Sequence, residues 1–280
     1  MNTNTPSERE NAAISQRGIA LEPPPPEPPK VVRFIEALGE VAILSKATLR
    51  STFRRPLEFA STVYQIEALG VRSLAIVAVT SLFIGMVMCV QFAYGLKRFG
   101  GLEYIPRVIV LSFLRELGPT LTAIIVGGRI GSGMAAEVGA MNVTEQVDAI
   151  RALGAEPAKK LVLPRVLAAV IVMPLLSMFA DALGALGAMF VCALEFGISP
   201  TFFVRNSLEV VRLQDLFAGL AKTPFFGFII AIVGCHFGLH TRGGTEGVGQ
   251  STTRTVVVVS IAILVADFFL TRLFIAIGGE

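Results

Sequence analysis

Residues 108–136 read VIVLSFLRELGPTLTAIIVGGRIGSGMAA, an apolar run interrupted only by Arg115, Glu116 and Arg129. The run is longer than the roughly 20 residues that a helix needs to cross a bilayer. A charge at the centre of a spanning helix costs about 2.5 to 3.5 kcal/mol on insertion scales, so such residues normally face a bundle interior or a wet cavity. This stretch therefore predicts a membrane helix that meets something polar inside the membrane.

The chain contains four other apolar segments of similar length, and three of them also include charged residues. The segment from Ser73 to Leu96 is uncharged, whereas the three later segments contain Asp181, Lys222, Asp267 and Arg272. We predict an all-α, polytopic membrane protein with about five transmembrane helices, at residues 71–95, 106–136, 162–193, 215–239 and 253–277. The roles of Asp181 and Asp267 stay open.

The composition supports this class and excludes several others. Of the 280 residues, 53% are hydrophobic and 16% are charged, which excludes a soluble or disordered chain. A net charge of +3 without a block of Lys or Arg gives no sign of a nucleic-acid partner. His236 and His240 have the i, i+4 spacing of a metal pair, but the sequence places no third ligand near them, so we predict no metal site and no cofactor.

The N-terminal region differs from the rest of the chain. Residues 1–30 include the run EPPPPEPP at 22–29, which predicts a disordered, proline-rich cytoplasmic tail, with a docking peptide as the alternative. Residues 31–280 are predicted to form one membrane domain, in which 31–70 contain an interfacial amphipathic helix and 71–277 the transmembrane bundle. Basic residues between the second and third spans place the N-terminus in the cytoplasm: Arg151, Lys159, Lys160 and Arg165.

Small residues recur at every fourth position in two of the predicted spans. The rows are Gly127, Gly131, Ala135 and Gly139; Gly128, Ser132, Ala136 and Ala140; and Ala180, Gly184, Ala188 and Cys192. Such rows let helix backbones approach closely in a membrane. We expect close helix contacts there, within one chain or across a dimer.

A short amphipathic helix is predicted between the second and third spans. Asn142 and Glu145 have the spacing of a capping box, and Gly154 followed by Pro157 is a stop signal, which brackets about three turns. The apolar face would contain Val143, Val147, Ile150 and Leu153. Such a helix suits docking into a groove of a soluble partner, and a solvated connector is the alternative.

Several motifs, in order, resemble the MlaE/YrbE permease family from about Val31 to Gly278. They are LRELGP at 114–119, GRIGS at 128–132, AEVGAM at 136–141, TEQ at 144–146, PR at 164–165, GGTEGVG at 243–249 and TTRTVV at 252–257. The chain has no G-x-x-x-x-G-K-[ST] phosphate loop, so ATP hydrolysis is expected in a separate polypeptide and not in this one.

This resemblance implies a homodimeric permease subunit of an ABC-type phospholipid transporter in the bacterial inner membrane. The implied partners are a cytoplasmic ATPase (MlaF-like), a periplasmic MCE-domain protein (MlaD-like) and often a STAS-domain protein (MlaB-like), and the implied role is lipid exchange with the periplasm for outer-membrane lipid asymmetry. The segment 137–154 is then the coupling helix. Its expected ATPase contacts are Glu137, Glu145, Asp148, Ile150 and Arg151.

The resemblance also places Arg115 and Glu116 near a lipid cavity at the dimer interface. Consecutive side chains diverge by about 100° on a helix, so each needs its own partner. A phospholipid offers a phosphate to Arg115 or Lys222 and an amine to Glu116, while Gln91 and Tyr94 would reach the cavity from its outer end. The alternative is an internal ion-pair network, such as Arg115 with Asp267 or Glu116 with Lys222.

Two other function classes compete with an ABC permease. A secondary transporter would need broken helices in two matching halves and a coupling-ion site, and the sequence shows no convincing internal repeat. A lipid-modifying membrane enzyme would need a converging nucleophile and base or a set of metal ligands, which the sequence lacks.

Overall fold

The computed structural model describes residues 30–52 and 58–278, and all regular structure in these ranges is helical. The helices are α1 (Lys30–Thr52), α2 (Phe59–Lys97), α3 (Ile105–Ser112), α4 (Gly118–Val143), α5 (Gln146–Ala152), α6 (Leu163–Glu195), α7 (Pro200–Val210), α8 (Leu213–Leu239) and α9 (Gly244–Gly278). Two π-helical turns, Phe113–Leu117 and Ala158–Val162, lead directly into α4 and α6.

Five helical segments are long and apolar enough to cross a membrane: Phe59–Lys97, Leu102–Val143, Ala158–Glu195, Leu213–Leu239 and Gly244–Ala276. This confirms the prediction of an all-α protein with five membrane helices. Large apolar side chains such as Phe83, Phe190 and Phe268 are exposed on the outer surface of the bundle, as is normal where lipid replaces water. The chain is a multi-pass membrane protein.

The region predicted as 31–70 contains two helical segments. α1 ends at Thr52, and α2 begins at Phe59 and continues without interruption through the first span. Residues 59–70 are therefore part of the first long helix. Residues 1–29, nearly all of the predicted proline-rich tail, lie outside the described residues. The structure divides into two units between Gly39 and Glu40, and the second unit contains the whole bundle.

Helices α2 and α6 pack with their backbones in contact. A Cβ atom added to Gly85 would overlap the carbonyl group of Gly184, and one added to Gly187 would overlap that of Leu82. The Phe113 ring fills the space beside Gly184, where a Cβ would also clash. The close approach predicted from the row 180–192 is thus made within one chain.

The glycine row of α4 faces α8 and α9. A Cβ on Gly234 of α8 would overlap the carbonyl of Gly131, and Gly127 lies against the side chains of Ile230 and Ile263. These contacts belong to the main buried core, which also includes Val126, Ile130 and Phe226. α4 therefore forms the centre of the bundle, with one face closed by two neighbouring helices.

The bundle has two ends, which we name by their short helices. The α5 end contains the loops after α4 and α8, where Asn142 donates a hydrogen bond to the carbonyl of Thr241 at 3.0 Å. The α7 end contains the π turn at 113–117 and the start of α8, where Gly219 packs against the Leu114 carbonyl. Arg115, Glu116, Asp215 and Lys222 lie in the half of the bundle nearer the α7 end.

Candidate functional site: an ionic cluster beside an apolar cavity

Arg115 and Glu116 lie in the π-helical turn Phe113–Leu117. In an α-helix the carbonyl of Arg115 would accept a hydrogen bond from the backbone of residue 119, but Pro119 has no N–H group. Lys222 Nζ lies 3.2 Å from this carbonyl and donates the missing bond. The turn therefore widens the helix where the charged pair is placed, as π turns often do at functional sites.

Lys222 is the centre of a buried ionic cluster. Its side chain is only 2% exposed, yet Nζ lies 2.8 Å from Glu116 Oε2, 3.2 Å from Asp267 Oδ1 and 2.6 Å from Thr271 Oγ1. The Thr271 hydroxyl in turn donates to Glu116 Oε1 at 3.1 Å. A buried ammonium group is tolerated when all three of its protons have acceptors, and this one has them.

Arg115 points to a different carboxylate. Its Nε donates to Asp215 Oδ1 at 2.7 Å, and Asp215 is only 6% exposed while Arg115 is 46% exposed. Asp215 Oδ2 also accepts from the backbone N–H of Arg212 at 3.0 Å, which caps the start of α8. One buried carboxylate thus fixes both the helix start and the guanidinium.

The structure contains internal ion pairs of the kind that was the alternative to lipid contacts. The internal pair of Glu116 with Lys222 is present. The partner of Arg115 is Asp215, and not Asp267 as one alternative had it. Sequence reasoning missed Asp215. A carboxylate three residues after the N-cap Arg212 is ordinary in the first turn of a helix, so the sequence did not mark it as a partner of Arg115.

A cavity of about 380 Å³ opens beside this cluster. Its walls combine charged groups with large apolar side chains, and the lining residues are Arg115, Glu116, Gln214, Asp215, Phe217, Ala218, Ala221, Lys222, Thr271, Phe274 and Ile275. Glu116 remains 41% exposed despite its contact with Lys222. Polar groups that converge within apolar walls are the ordinary construction of a ligand site.

Fully ionised, the cluster has an excess of negative charge. Arg115 and Lys222 supply two positive charges and Glu116, Asp215 and Asp267 three negative ones, a net charge of −1. Of the three carboxylates, Glu116 is the most exposed. The guanidinium of Arg115 lies on the same cavity wall.

Gln91, Tyr94 and Asp181 are not part of this cavity lining. Gln91 and Tyr94 lie on the exposed face of α2 near the α7 end, and Tyr94 is 66% exposed. Asp181 of α6 packs against Gly118, and its Oδ1 atom is buried without a hydrogen-bond partner among the described residues. The cavity thus contains three of the five predicted lipid contacts.

The predicted capping box of the connecting helix is wrong. α5 comprises seven residues, Gln146–Ala152, and its N-cap residue Glu145 has a left-handed backbone with φ of 60° and no side-chain cap. Asn142 belongs to the end of α4, and its side chain is engaged with Thr241. A tertiary hydrogen bond has taken the place of the local cap, so the helix has two turns and not three.

The remaining residues predicted to contact a partner lie around α5. Asp148 and Arg151 form an exposed ion pair at 2.8 Å, and Ile150 is half-buried. Val147 anchors α5 with a side chain that is fully buried. Leu153, just after the helix, is 86% exposed.

Glu137 does not lie on α5. It is part of α4, and its carboxylate accepts a hydrogen bond from Arg165 Nη2 at 2.7 Å. Arg165 is only 8% exposed and also donates to the Leu161 carbonyl at 2.8 Å. The pair joins the end of the second span to the start of the third, directly beside the α5 loop.

Comparison with known proteins agrees with this architecture. A family model described as Permease MlaE matches residues 62–273. The chain belongs to the MlaE permease family. A probable ABC transporter permease protein of Rickettsia bellii is 38% identical over 245 residues, which cover 88% of this chain and 95% of the relative.

Two further relatives extend the MlaE family match beyond that genus. A probable ABC transporter permease protein of Synechocystis is 41% identical over 220 residues, or 79% of this chain and 84% of the relative. The Arabidopsis thaliana protein TRIGALACTOSYLDIACYLGLYCEROL 1, chloroplastic, is 35% identical over 240 residues, or 86% of this chain and 69% of the relative. As an ABC transporter permease of the MlaE family, the chain is a membrane component, and membership of that family implies an ATPase partner.

Proposed function

We propose that this permease moves phospholipids between the bacterial inner membrane and a periplasmic MCE-domain protein, and so supports outer-membrane lipid asymmetry. The observation that carries this proposal is the half-exposed carboxylate of Glu116 in a cavity with apolar walls. An amphiphile with a charged headgroup fits both kinds of surface. The name of the Arabidopsis relative, which refers to a galactolipid, supports a lipid substrate.

In this proposal each charged side chain of the cluster has its own role. Glu116 receives the ammonium group of a zwitterionic headgroup, and Arg115 faces its phosphate. Lys222 lies on the cavity wall but has its three protons directed to the protein, so it holds Glu116 in place and contacts the lipid least. The acyl chains lie against Phe217, Phe274 and Ile275. Gln91 and Tyr94 meet the lipid outside the cavity, at the α7 end.

The functional unit that we propose is a homodimer with its N-terminus in the cytoplasm. The ATPase, an MlaF-like subunit with an MlaB-like STAS protein beside it, docks on α5 through Glu145, Asp148, Ile150 and Arg151. Glu137 supports this surface from α4 through its bond to Arg165. The MCE protein, MlaD-like, meets the opposite, α7 end of the bundle. Exposed Leu153 gives the docking surface an apolar contact that the charged residues surround.

The test is lipid transfer in proteoliposomes that contain the permease, its ATPase and the MCE protein. Glu116→Gln keeps the shape of the side chain and removes its charge, so we expect ATP-dependent transfer to fall about tenfold, which corresponds to about 1.4 kcal/mol. Glu195→Gln is the matched control, since Glu195 is an exposed carboxylate at the same end and outside the cavity.

The same assay separates the competing functions. Transfer by Glu116→Gln at the wild-type rate would remove Glu116 from the mechanism. Transfer that needs an ion gradient and no ATPase would indicate a secondary transporter. A change in lipid mass would indicate an enzyme.

A further inference from the structure

Two histidines and a glutamate meet at the α5 end of the bundle. His236 lies in the last turn of α8 and His240 directly follows that helix, while Glu40 is on α1. Glu40 Oε2 is 3.7 Å from His236 Nε2 and 3.6 Å from His240 Nε2. One ligand atom from each residue can be chosen so that all three atoms lie within 4.8 Å of one another. The fold supplies the third ligand that sequence spacing did not.

These separations fit a shared metal ion better than hydrogen bonds. An N–H···O hydrogen bond joins atoms about 2.7 to 3.2 Å apart. Two ligands at about 2.1 Å from one zinc ion, at the tetrahedral angle, are separated by about 3.4 Å. The two measured nitrogen–oxygen distances, 3.7 and 3.6 Å, are close to that value.

The orientation of His240 points to a cation between the rings and the carboxylate. Its Nδ1 atom lies 2.8 Å from the backbone carbonyl of His236. A carbonyl only accepts, so Nδ1 must donate its proton, and Nε2 of the neutral ring then directs a lone pair towards Glu40. Donation from the second nitrogen to a carbonyl is also the arrangement that orients most metal-binding histidines.

His236 is the buried member of this group of three residues. The residue is 5% exposed, and its Nδ1 atom has no hydrogen-bond partner in the described residues. Its Nε2 atom faces Glu40 at a distance beyond hydrogen bonding. A metal bound at Nε2 would give that nitrogen the partner that Glu40 does not supply at this distance, and it would leave Nδ1 protonated, without an acceptor among the described residues.

We propose that Glu40, His236 and His240 bind one Zn²⁺ ion. Two imidazoles and one carboxylate are a donor set that zinc accepts, with a water molecule as the fourth ligand. Glu40 and His240 are each 51% exposed, so ion and water can enter from solvent. The ion fastens residues 40–52 of α1 to the end of α8. Thr241, the next residue, is bonded to Asn142 close to α5, so the site braces the region where the ATPase is proposed to dock.

The test uses the full-length permease in detergent, with a tag that contains no histidine. His236 and His240 are then the only histidines present, because the chain contains two. After treatment with a chelator, Zn²⁺ is titrated into protein labelled with ¹⁵N in histidine. We expect one bound zinc per chain, shifts in both imidazole signals and a higher midpoint of thermal unfolding.

Two variants at the half-exposed ligands complete the test. Glu40→Gln and His240→Ala should each weaken zinc binding about 100-fold or more, since even loss of a supporting partner weakens metal sites 10- to 100-fold. Glu246→Gln, an exposed carboxylate at the start of α9, is the control and should bind zinc like the parent. Substoichiometric binding, unshifted imidazoles, or full affinity in Glu40→Gln would overturn the proposal.

A measurement on the unaltered chain does not depend on how the variants fold. Co²⁺ in place of zinc should give the intense visible absorption of a four-coordinate ion with nitrogen and oxygen ligands. The weak spectrum of hydrated Co²⁺ would count against the site even if all variants were unstable.

Discussion

The two ends of the bundle hold ion pairs of similar composition in opposite surroundings. At the α7 end, Lys222 is 2% exposed and contacts Glu116 and Asp267. At the α5 end, Asp148 and Arg151 form a pair in which both side chains are more than half exposed, at 64% and 57%. Exposed pairs contribute about 0.2 to 1 kcal/mol, whereas breaking a buried pair costs about 3 to 5 kcal/mol. The first pair is therefore expected to contribute more to stability than the second.

The largest effect is expected from Lys222→Met. The substitution keeps the volume of the side chain and leaves the carboxylates of Glu116 and Asp267 without a counter-ion in the membrane. We expect a loss of about 3 to 5 kcal/mol in the free energy of unfolding, measured by thermal unfolding in detergent micelles. Arg151→Met, at the exposed pair, is the matched control and should change stability by less than about 1 kcal/mol.

A rescue sharpens this comparison. In the triple variant Lys222→Met, Glu116→Gln, Asp267→Asn no uncompensated charge remains, so most of the lost stability should return, because replacing a whole buried ion pair is often neutral. If Lys222→Met alone were as stable as the parent, the cluster would be hydrated, and the contrast between the two ends would disappear.

A smaller loss of stability is expected from a change at the close contact between α2 and α6. Gly85→Ala adds one methyl group at the point where α2 meets the carbonyl of Gly184. The helices must separate to admit it, and overpacking of this kind costs about 1 to 3 kcal/mol. Gly95→Ala, on the same helix with open space around it, is the control. It should be neutral or stabilising, since alanine is the better helix former by about 1 kcal/mol.

Equal unfolding midpoints for Gly85→Ala and Gly95→Ala would show that the α2–α6 contact is loose. The ionic cluster would then be the main source of order at the α7 end.

The sequence predicted the features whose signal is local. The five spans follow from runs of apolar residues, and the row at 180–192 indicated the packing of Gly184 because a four-residue period directly marks one helix face. The π turn at 113–117, which ends two residues before Pro119, was not predicted.

The pairing of the charges could not be predicted in the same way. Arg115 and Asp215 belong to different spans, and only the packing of α8 on the π turn brings them together. Glu40 and His236 are a similar case, joined by a contact between α1 and α8. The prediction from local sequence was wrong at Asn142. Its side chain could cap the following helix, but it donates a hydrogen bond to the carbonyl of Thr241 instead.

Substitutions in α5 are expected to change stability least and to weaken binding of the ATPase strongly. Asp148→Ala combined with Ile150→Ala removes an exposed charge and trims a half-buried side chain, while buried Val147 still anchors the helix. We expect unfolding to change by about 1 kcal/mol or less. Co-purification with the ATPase should fall about tenfold or more, because a few interface residues carry most binding energy.

The control for this pair is Arg254→Gln, an exposed charge on α9 at the same end of the bundle. It alters the net charge there without touching α5, so pull-down yield should stay near that of the parent. Undiminished ATPase recovery by the α5 variant would assign docking to another surface. Equal losses in both variants would instead show that the partner responds to the overall charge of this end, and the exposed pair would then have no specific role.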